Sequence, residues 1–411
     1  MTIPNFKEKL QKYAELIVKI GVNVQPNQPV VLYINVEQQE LAHLIVKEAY
    51  AAGASEVMVK WSDTFTSRQF LEFANQERLE NIPDYLVKEA EYIADNKAAR
   101  ISVISEDPDA FNGLDHYRVS TFQKANGKAL NVVRKATQNN DLSWTVVGAA
   151  GVKWAEKVFP DLKGDAAVDK LWEEIFKITR IDQEDPIAAW KKHDETLRTK
   201  ADWLNKEQFK ALHYISPITD ITVGLPKNHI WEGAGSYNDA GIEFMANMPT
   251  EEVFTAPDAR HIDGYVGSTK PLSYAGNIIE NMHFEFKNGK VTKVTADKGQ
   301  NILEELIKTD DGATSLGEVS LVPDPSPISQ SGITFFNTLF DENASNHMAL
   351  GAAYPFSIQG GTKMSDEELK EHGINISQTH VDFMMGSADM DIDGIKEDGT
   401  IIPIFRNGDW A

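Results

Sequence analysis

The sequence predicts two domains of different class: an α/β N-terminal domain with a doubly wound, largely parallel sheet, and an α+β C-terminal domain dominated by antiparallel sheet. Three observations carry this. Strand and helix patterns alternate over the first two hundred residues, short strands with turn signals follow to the end, and a chain of 411 residues is too long for one ordinary core.

Phe6, Leu10, Tyr13, Ile17 and Ile20 draw one apolar stripe at helical spacing, ending near Gly21. Pro29–Ile34 is a short apolar strand, 40–52 a helix closed by Gly53, and 56–61 the next strand. This strand, helix, strand order favours parallel pairing with a right-handed crossover. Further strands are expected at 100–105 and 143–148, with helices at 67–75, 83–95 and 122–137. Gly148-Ala-Ala-Gly151 follows a strand but has neither dinucleotide glycine spacing nor a P-loop ending, so a scaffold or dimerisation role suits this domain better than nucleotide binding.

Residues 166–210 read as charged helix with Trp172, Ile175, Phe176, Trp190, Leu197 and Trp203 as buried-face candidates, interrupted at Asp185-Pro186. The boundary is placed near residue 205, giving an N-terminal domain over 1–205 and a C-terminal domain over 206–411. Beyond it, 218–225 alternates as a strand, 283–294 is a hairpin turning at Asn288-Gly289, and 299–309 is a helix.

The formal charge of −22 argues against nucleic acid or an anionic membrane surface as partner, since either calls for clustered Lys and Arg. No apolar run approaches the roughly 20 residues that span a bilayer, and the N-terminus lacks the apolar core of a signal peptide; a cytoplasmic location is the expectation. The chain has no cysteine, which excludes disulfides, thiolate metal sites and a cysteine nucleophile.

Five oxygen and imidazole groups stand out in separate motifs of the last third: Glu252, Glu318, His347, His380 and Asp382. Such a sulfur-free set suits zinc, cobalt or manganese, and a carboxylate can bridge two ions about 3.5–4 Å apart. His380 and Asp382 are two apart, so an extended strand turns both to one side. Glu318 lies between small and apolar residues, where an unpaired carboxylate is costly to bury and a metal removes the cost. His347 reads either as a ligand or as a capping or core histidine at the start of a helix capped by Ser345 or Asn346. Glu251 and Glu252 are neighbours and cannot both face one metal from an extended segment. Asp389–Gly394 copies half of a calcium loop but has Thr400 where the loop needs glutamate, and reads as a solvated acidic strand ending in a turn at Asp393-Gly394. His43, His116, His193, His283 and His372 look less useful; His229 and His261 are candidates for lining a pocket.

Taken together, Asn247–Asp258, Gly317–Pro323, Phe335–Ser345 and 375–394 strongly resemble the metallo-aminopeptidases of the aminopeptidase T and aminopeptidase S (PepS) type, over essentially the whole chain. The resemblance implies that Glu252 rather than Glu251 is the ligand, that Glu318 bridges, and that Tyr354 is an active-site tyrosine whose phenol faces the developing oxyanion; a packed aromatic is the other reading of Tyr354. Glu251 is left to bind the substrate amine, to act as acid/base, or to be merely exposed. The implied enzyme uses two divalent metal ions, zinc or cobalt foremost, to release N-terminal residues from short peptides with a free N-terminus, and works as a homodimer. The rival readings are another metal-dependent amidohydrolase or dipeptidase, and a non-catalytic protein that binds a metal and a small molecule.

Overall fold

In this computed structural model, which describes residues 3–411, five strands pair in parallel in the first unit. Their order across the sheet is Asn247–Met248, Trp144–Gly148, Ala99–Ile104, Pro29–Asn35 and Glu56–Ser62. Pro29–Asn35 lies inside this sheet and all but one of its residues are buried, as expected of a strand covered on both faces. The helix Gln39–Ala51 supplies the crossover to Glu56–Ser62.

The helix expected over 122–137 is two helices, His116–Ala129 and Asn131–Gln138. Their apolar faces serve different clusters: Val133 and Ala136 pack with Val31, Ala90 and Ile93, whereas Val119 and Phe122 pack with Leu71 and Leu79. One straight helix cannot point a single stripe at both. The helices Asp165–Ile178 and Pro186–Glu207 follow, and the Asp185 carboxylate accepts the Ala188 N–H at 3.0 Å as the second begins.

The chain divides into two compact units: Met1–His193 with Gly235–Pro249 and Ala275–Asn277, and Asp194–Ala234 with Thr250–Tyr274 and Ile278–Ala411. The segment 235–249 belongs with the first unit because Asn247–Met248 extends its parallel sheet beside Val146 and Val147.

Two large antiparallel sheets build the second unit. One has eight strands in the order Lys290–Thr295, His283–Lys287, Ile262–Gly267, Thr219–Gly224, Ala211–Ser216, Asp391–Ile395, Ile401–Arg406 and Asp409–Trp410. The hairpin 283–295 turns through Asn288 and Gly289, both at positive φ, the backbone that a two-residue turn of this hand requires. Asp391–Ile395 runs through Asp393-Gly394 without turning; a side chain on Gly394 would strike the Phe209 ring, and Asp393 pairs with Arg406, so this acidic strand is held by packing rather than ending in solvent.

The other sheet positions the site. Its order is His380–Met384, His347–Gly351, Leu316–Leu321, Val253–Thr255 and Glu232–Gly233. Val253, Val319, Leu321, Met348, Leu350, Val381 and Phe383 point to one face and join a single apolar core, each such side chain contributing roughly 1.5–3 kcal/mol by leaving water. The residues between them are turned to the opposite face. Among the described residues no helix is long and apolar enough to cross a membrane.

Candidate metal centre

The register across this sheet gathers the polar residues. Ala349 sits directly between Glu318 and Asp382; two residues along its strand, His347 lies beside Ser320, which in turn lies beside Phe254. Period-two alternation then adds His380 next to Asp382 and Glu252 next to Phe254 on the same side. All five candidate ligands therefore come together on one face, with small Ala349 at its centre.

His347 thus stands on a strand, not at a helix start. Ser345 does not cap a helix; its carbonyl and that of Glu342 lie 3.2 and 2.9 Å from His347 Nδ1. That contact makes Nδ1 the protonated nitrogen and aims Nε2 at the carboxylates. His380 is fixed the same way, Nδ1 donating to the Ala352 carbonyl at 2.7 Å. His347 Nε2 lies 3.0 Å from Glu252 Oε2 and 3.5 Å from Glu318 Oε1. His380 Nε2 lies 3.6 Å from Glu318 Oε2 and 3.5 Å from Asp382 Oδ1. The two oxygens of Glu318 consequently face two different imidazoles.

Among the described residues, ligand-capable atoms cluster in three groups, each within 4.8 Å: Glu252, Glu318 and His347; Glu318, His380 and Asp382; and Glu342, His347 and Asp382. Glu342 is the member that the sequence does not single out. It occupies the short 3-10 turn Glu342–Ala344 and is buried. The available signal is the run Asp341-Glu342-Asn343, three consecutive polar residues set between Phe340 and Ala344, all of them buried.

Glu251 is placed differently. It is buried, its backbone N–H donates to Asn343 Oδ1 at 2.7 Å, and its carboxylate is in none of the three donor groups. Burial corrects the reading of Glu251 as an exposed charge. Tyr354 packs its ring against His380, Phe356 and Phe254 at centroid distances of 5.1, 5.1 and 6.0 Å. His229 is buried with Nδ1 on the Pro226 carbonyl at 2.9 Å, His261 pairs with Asp258 at 3.0 Å, and neither belongs to a donor group.

The electrostatics are those of too many charges in too little water. Burial pushes the Glu318 carboxyl up to about 7, against the pull of His347 and His380. Burial, with Asp382 beside it, raises Glu342 well above the usual carboxylate range. Burial works against protonation of His380, but the Asp382 and Glu318 carboxylates outweigh it and hold the imidazole at about 10. Burial and the surrounding carboxylates raise the Tyr354 phenol, so it keeps its proton at neutral pH. Asp382 Oδ1 is buried without a hydrogen-bond partner. Three buried carboxylates and the partly buried Asp382 around two imidazoles, one carboxylate oxygen unsatisfied, fit a divalent cation: it would neutralise the excess charge and take the open lone pairs.

In the first unit, at the crevice where open α/β sheets take ligands, Glu37 Oε2 accepts the Val152 N–H at 3.3 Å as the helix Val152–Val158 begins. A side chain on Gly151 would strike the Ser105 carbonyl. A protein carboxylate therefore occupies this helix start.

A parallel α/β unit joined in one chain to an antiparallel unit that bears a carboxylate and imidazole cluster is the architecture of a metal-binding protein. The family described as thermophilic metalloprotease M29 matches residues 6–410. Aminopeptidase PepS of Streptococcus thermophilus is 57% identical, covering 100% of both chains; aminopeptidase AmpS of Bacillus subtilis is 53% identical, covering 99% of both. The solved structure of wild-type AmpT from Thermus thermophilus superposes with a TM-score of 0.91 at 40% identity, covering 99% of this chain and 100% of that one. This chain belongs to the M29 metalloprotease family and is an enzyme of the metallo-aminopeptidase class.

Proposed function

We propose that the enzyme releases the N-terminal residue of short peptides, using two divalent cations held on the site face of the five-stranded sheet. Glu252, Glu318 and His347 would hold one, and Glu318, His380 and Asp382 the other, with Glu318 common to both and Glu342 within reach through His347 and Asp382. The observation that carries this reading is the pair of donor groups sharing Glu318, each of whose oxygens faces its own imidazole.

When bound, such cations supply Lewis-acid polarisation of the scissile carbonyl and a water acidified toward neutral pH. The chain's own residues do the rest. His347 and His380 present Nε2 because their Nδ1 protons are engaged by backbone carbonyls. Tyr354, protonated at working pH, donates its phenolic hydrogen to the oxyanion that forms on the substrate carbonyl. Glu251, anchored beside Glu252 through its backbone, receives the substrate's α-ammonium or passes a proton to the leaving amine. We assign the catalytic role to the region 206–411 and a scaffold role to 1–205. Zinc or cobalt suits the donors best and manganese is compatible; we place the enzyme in the cytoplasm as a homodimer.

The test is release of free amino acids from unblocked and N-acetylated short peptides by metal-stripped protein, with zinc, cobalt or manganese added back. Cleavage of the unblocked peptides alone, restored by metal, is the expected result. Cleavage of acetylated peptides as well would move the activity to a broader amidohydrolase, and no cleavage by a folded, metal-loaded protein would defeat the proposal.

A further inference from the structure

Ser320 is buried at the middle of the site face, beside His347 on one neighbouring strand and Phe254 on the other. Its sequence neighbours Val319 and Leu321 point into the core. A fully buried hydroxyl needs a partner, and this one donates to a ligand: Ser320 Oγ is 2.6 Å from Glu252 Oε2. Hydrogen bonds from a hydroxyl to a carboxylate are short and about twice as strong as neutral ones. The same oxygen lies 3.0 Å from His347 Nε2, so Ser320 pins the Glu252 carboxylate against the histidine of its own donor group.

In the second donor group, His380 is held by the Ala352 carbonyl, but among the described residues no hydroxyl donates to Asp382 Oδ1. Asp382 Oδ1 is buried without a hydrogen-bond partner, and both His380 and Asp382 are only partly buried, whereas Glu252, Glu318 and His347 are buried throughout. We propose that Ser320 is a positioning residue that holds Glu252 for a single cation, the one shared with Glu318 and His347, and that it thereby makes this position the tighter of two unequal ones. The proposal rests on the two-cation reading above.

The experiment is titration of metal-stripped wild type, Ser320→Ala and Ser320→Thr with cobalt(II), followed by calorimetry and visible absorption, with near-ultraviolet circular dichroism to establish that each is folded. Wild type is expected to bind in two steps. Ser320→Ala weakens the tighter step about 10–100-fold, the range for losing such a supporting hydrogen bond, and leaves the weaker step unchanged; Ser320→Thr, which keeps the hydroxyl, holds the tighter step near wild type. The proposal is overturned if Ser320→Ala leaves the tighter step unchanged, if both steps weaken equally, or if the threonine variant is as weak as the alanine. A wild type that takes up a single cobalt ion ends the two-cation reading separately, and the role of Ser320 then stands or falls on whether its alanine variant weakens that one step.

Discussion

Ala349 and Leu350 are consecutive residues of one strand, both buried, and they answer to different masters. Ala349 lies between Glu318 and Asp382, with roughly 4.5–5.5 Å between facing Cβ atoms. In Ala349→Leu three added carbons must enter a space whose ligand atoms already crowd within 4.8 Å of one another. A leucine and a cation exclude each other there, so we expect cobalt affinity to fall at least 100-fold, about 2.7 kcal/mol, while overpacking costs stability only about 1–3 kcal/mol. Leu350→Ala on the other face should do the reverse: it opens a cavity in the core at about 2–5 kcal/mol and leaves metal stoichiometry intact. The assay is cobalt content after equilibrium dialysis, beside the thermal unfolding of the same metal-stripped samples. A leucine variant that loads like wild type, or an alanine variant that loses metal at an unchanged melting temperature, would refute the assignment of the two faces.

Tyr354→Phe keeps the ring packing on His380 and Phe356 but removes the donor; kcat should fall about 10²–10³-fold with KM and metal content little changed, which steady-state kinetics on a dipeptide amide would check. Glu342→Ala removes a carboxyl that burial and Asp382 hold well above its usual range, so the metal-free protein should melt higher than wild type while binding cobalt about 10-fold or more weaker by calorimetry. Burial raises Glu232 to about 7, Arg198 opposing in part. A carboxyl whose folded pKa lies above its unfolded value costs nothing below the unfolded pKa, and its penalty grows as pH rises to about 7. Glu232→Gln should therefore match wild type in urea unfolding near pH 4.5 and exceed it at pH 8 by up to about 3 kcal/mol; equal stability at both pH values would show that the shift is absent.

What could be read from the residues is what repeats locally. The βαβ order of residues 29–62, the Asn288-Gly289 hairpin and the two-residue spacing of His380 and Asp382 all follow from periods and turn chemistry that a short window contains. The strand Asn247–Met248 could not be read this way, since two residues have no period and its partner, Trp144–Gly148, lies a hundred positions earlier. His347 was open to a helical reading because Ser345 and Asn346 are good caps in isolation; pairing on both sides, to Ser320 and Met384, decides for the strand. Glu342 escaped because the polar run Asp341-Glu342-Asn343 reads equally well as a solvated turn, and only the fold of the turn before His347 carries its carboxylate to Asp382. Ser320 escaped for a simpler reason: a serine flanked by valine and leucine looks like any alternating strand until its partner is known.

The strand Leu316–Leu321 carries a register shift between Leu316 and Glu318. Simple alternation would put Leu316 on the same side as Glu318, yet Leu316 pairs with Leu350 and joins the core. Gly317 absorbs the offset, and any side chain there would strike the carbonyls of Gly351 and Ala352. That single glycine works as a phase shifter: it lets one short strand leave the core as leucine and reach the carboxylate and imidazole cluster as glutamate. The position tolerates no side chain: one would push those carbonyls aside and undo the pairing that sends Leu316 to the core and Glu318 to the opposite face.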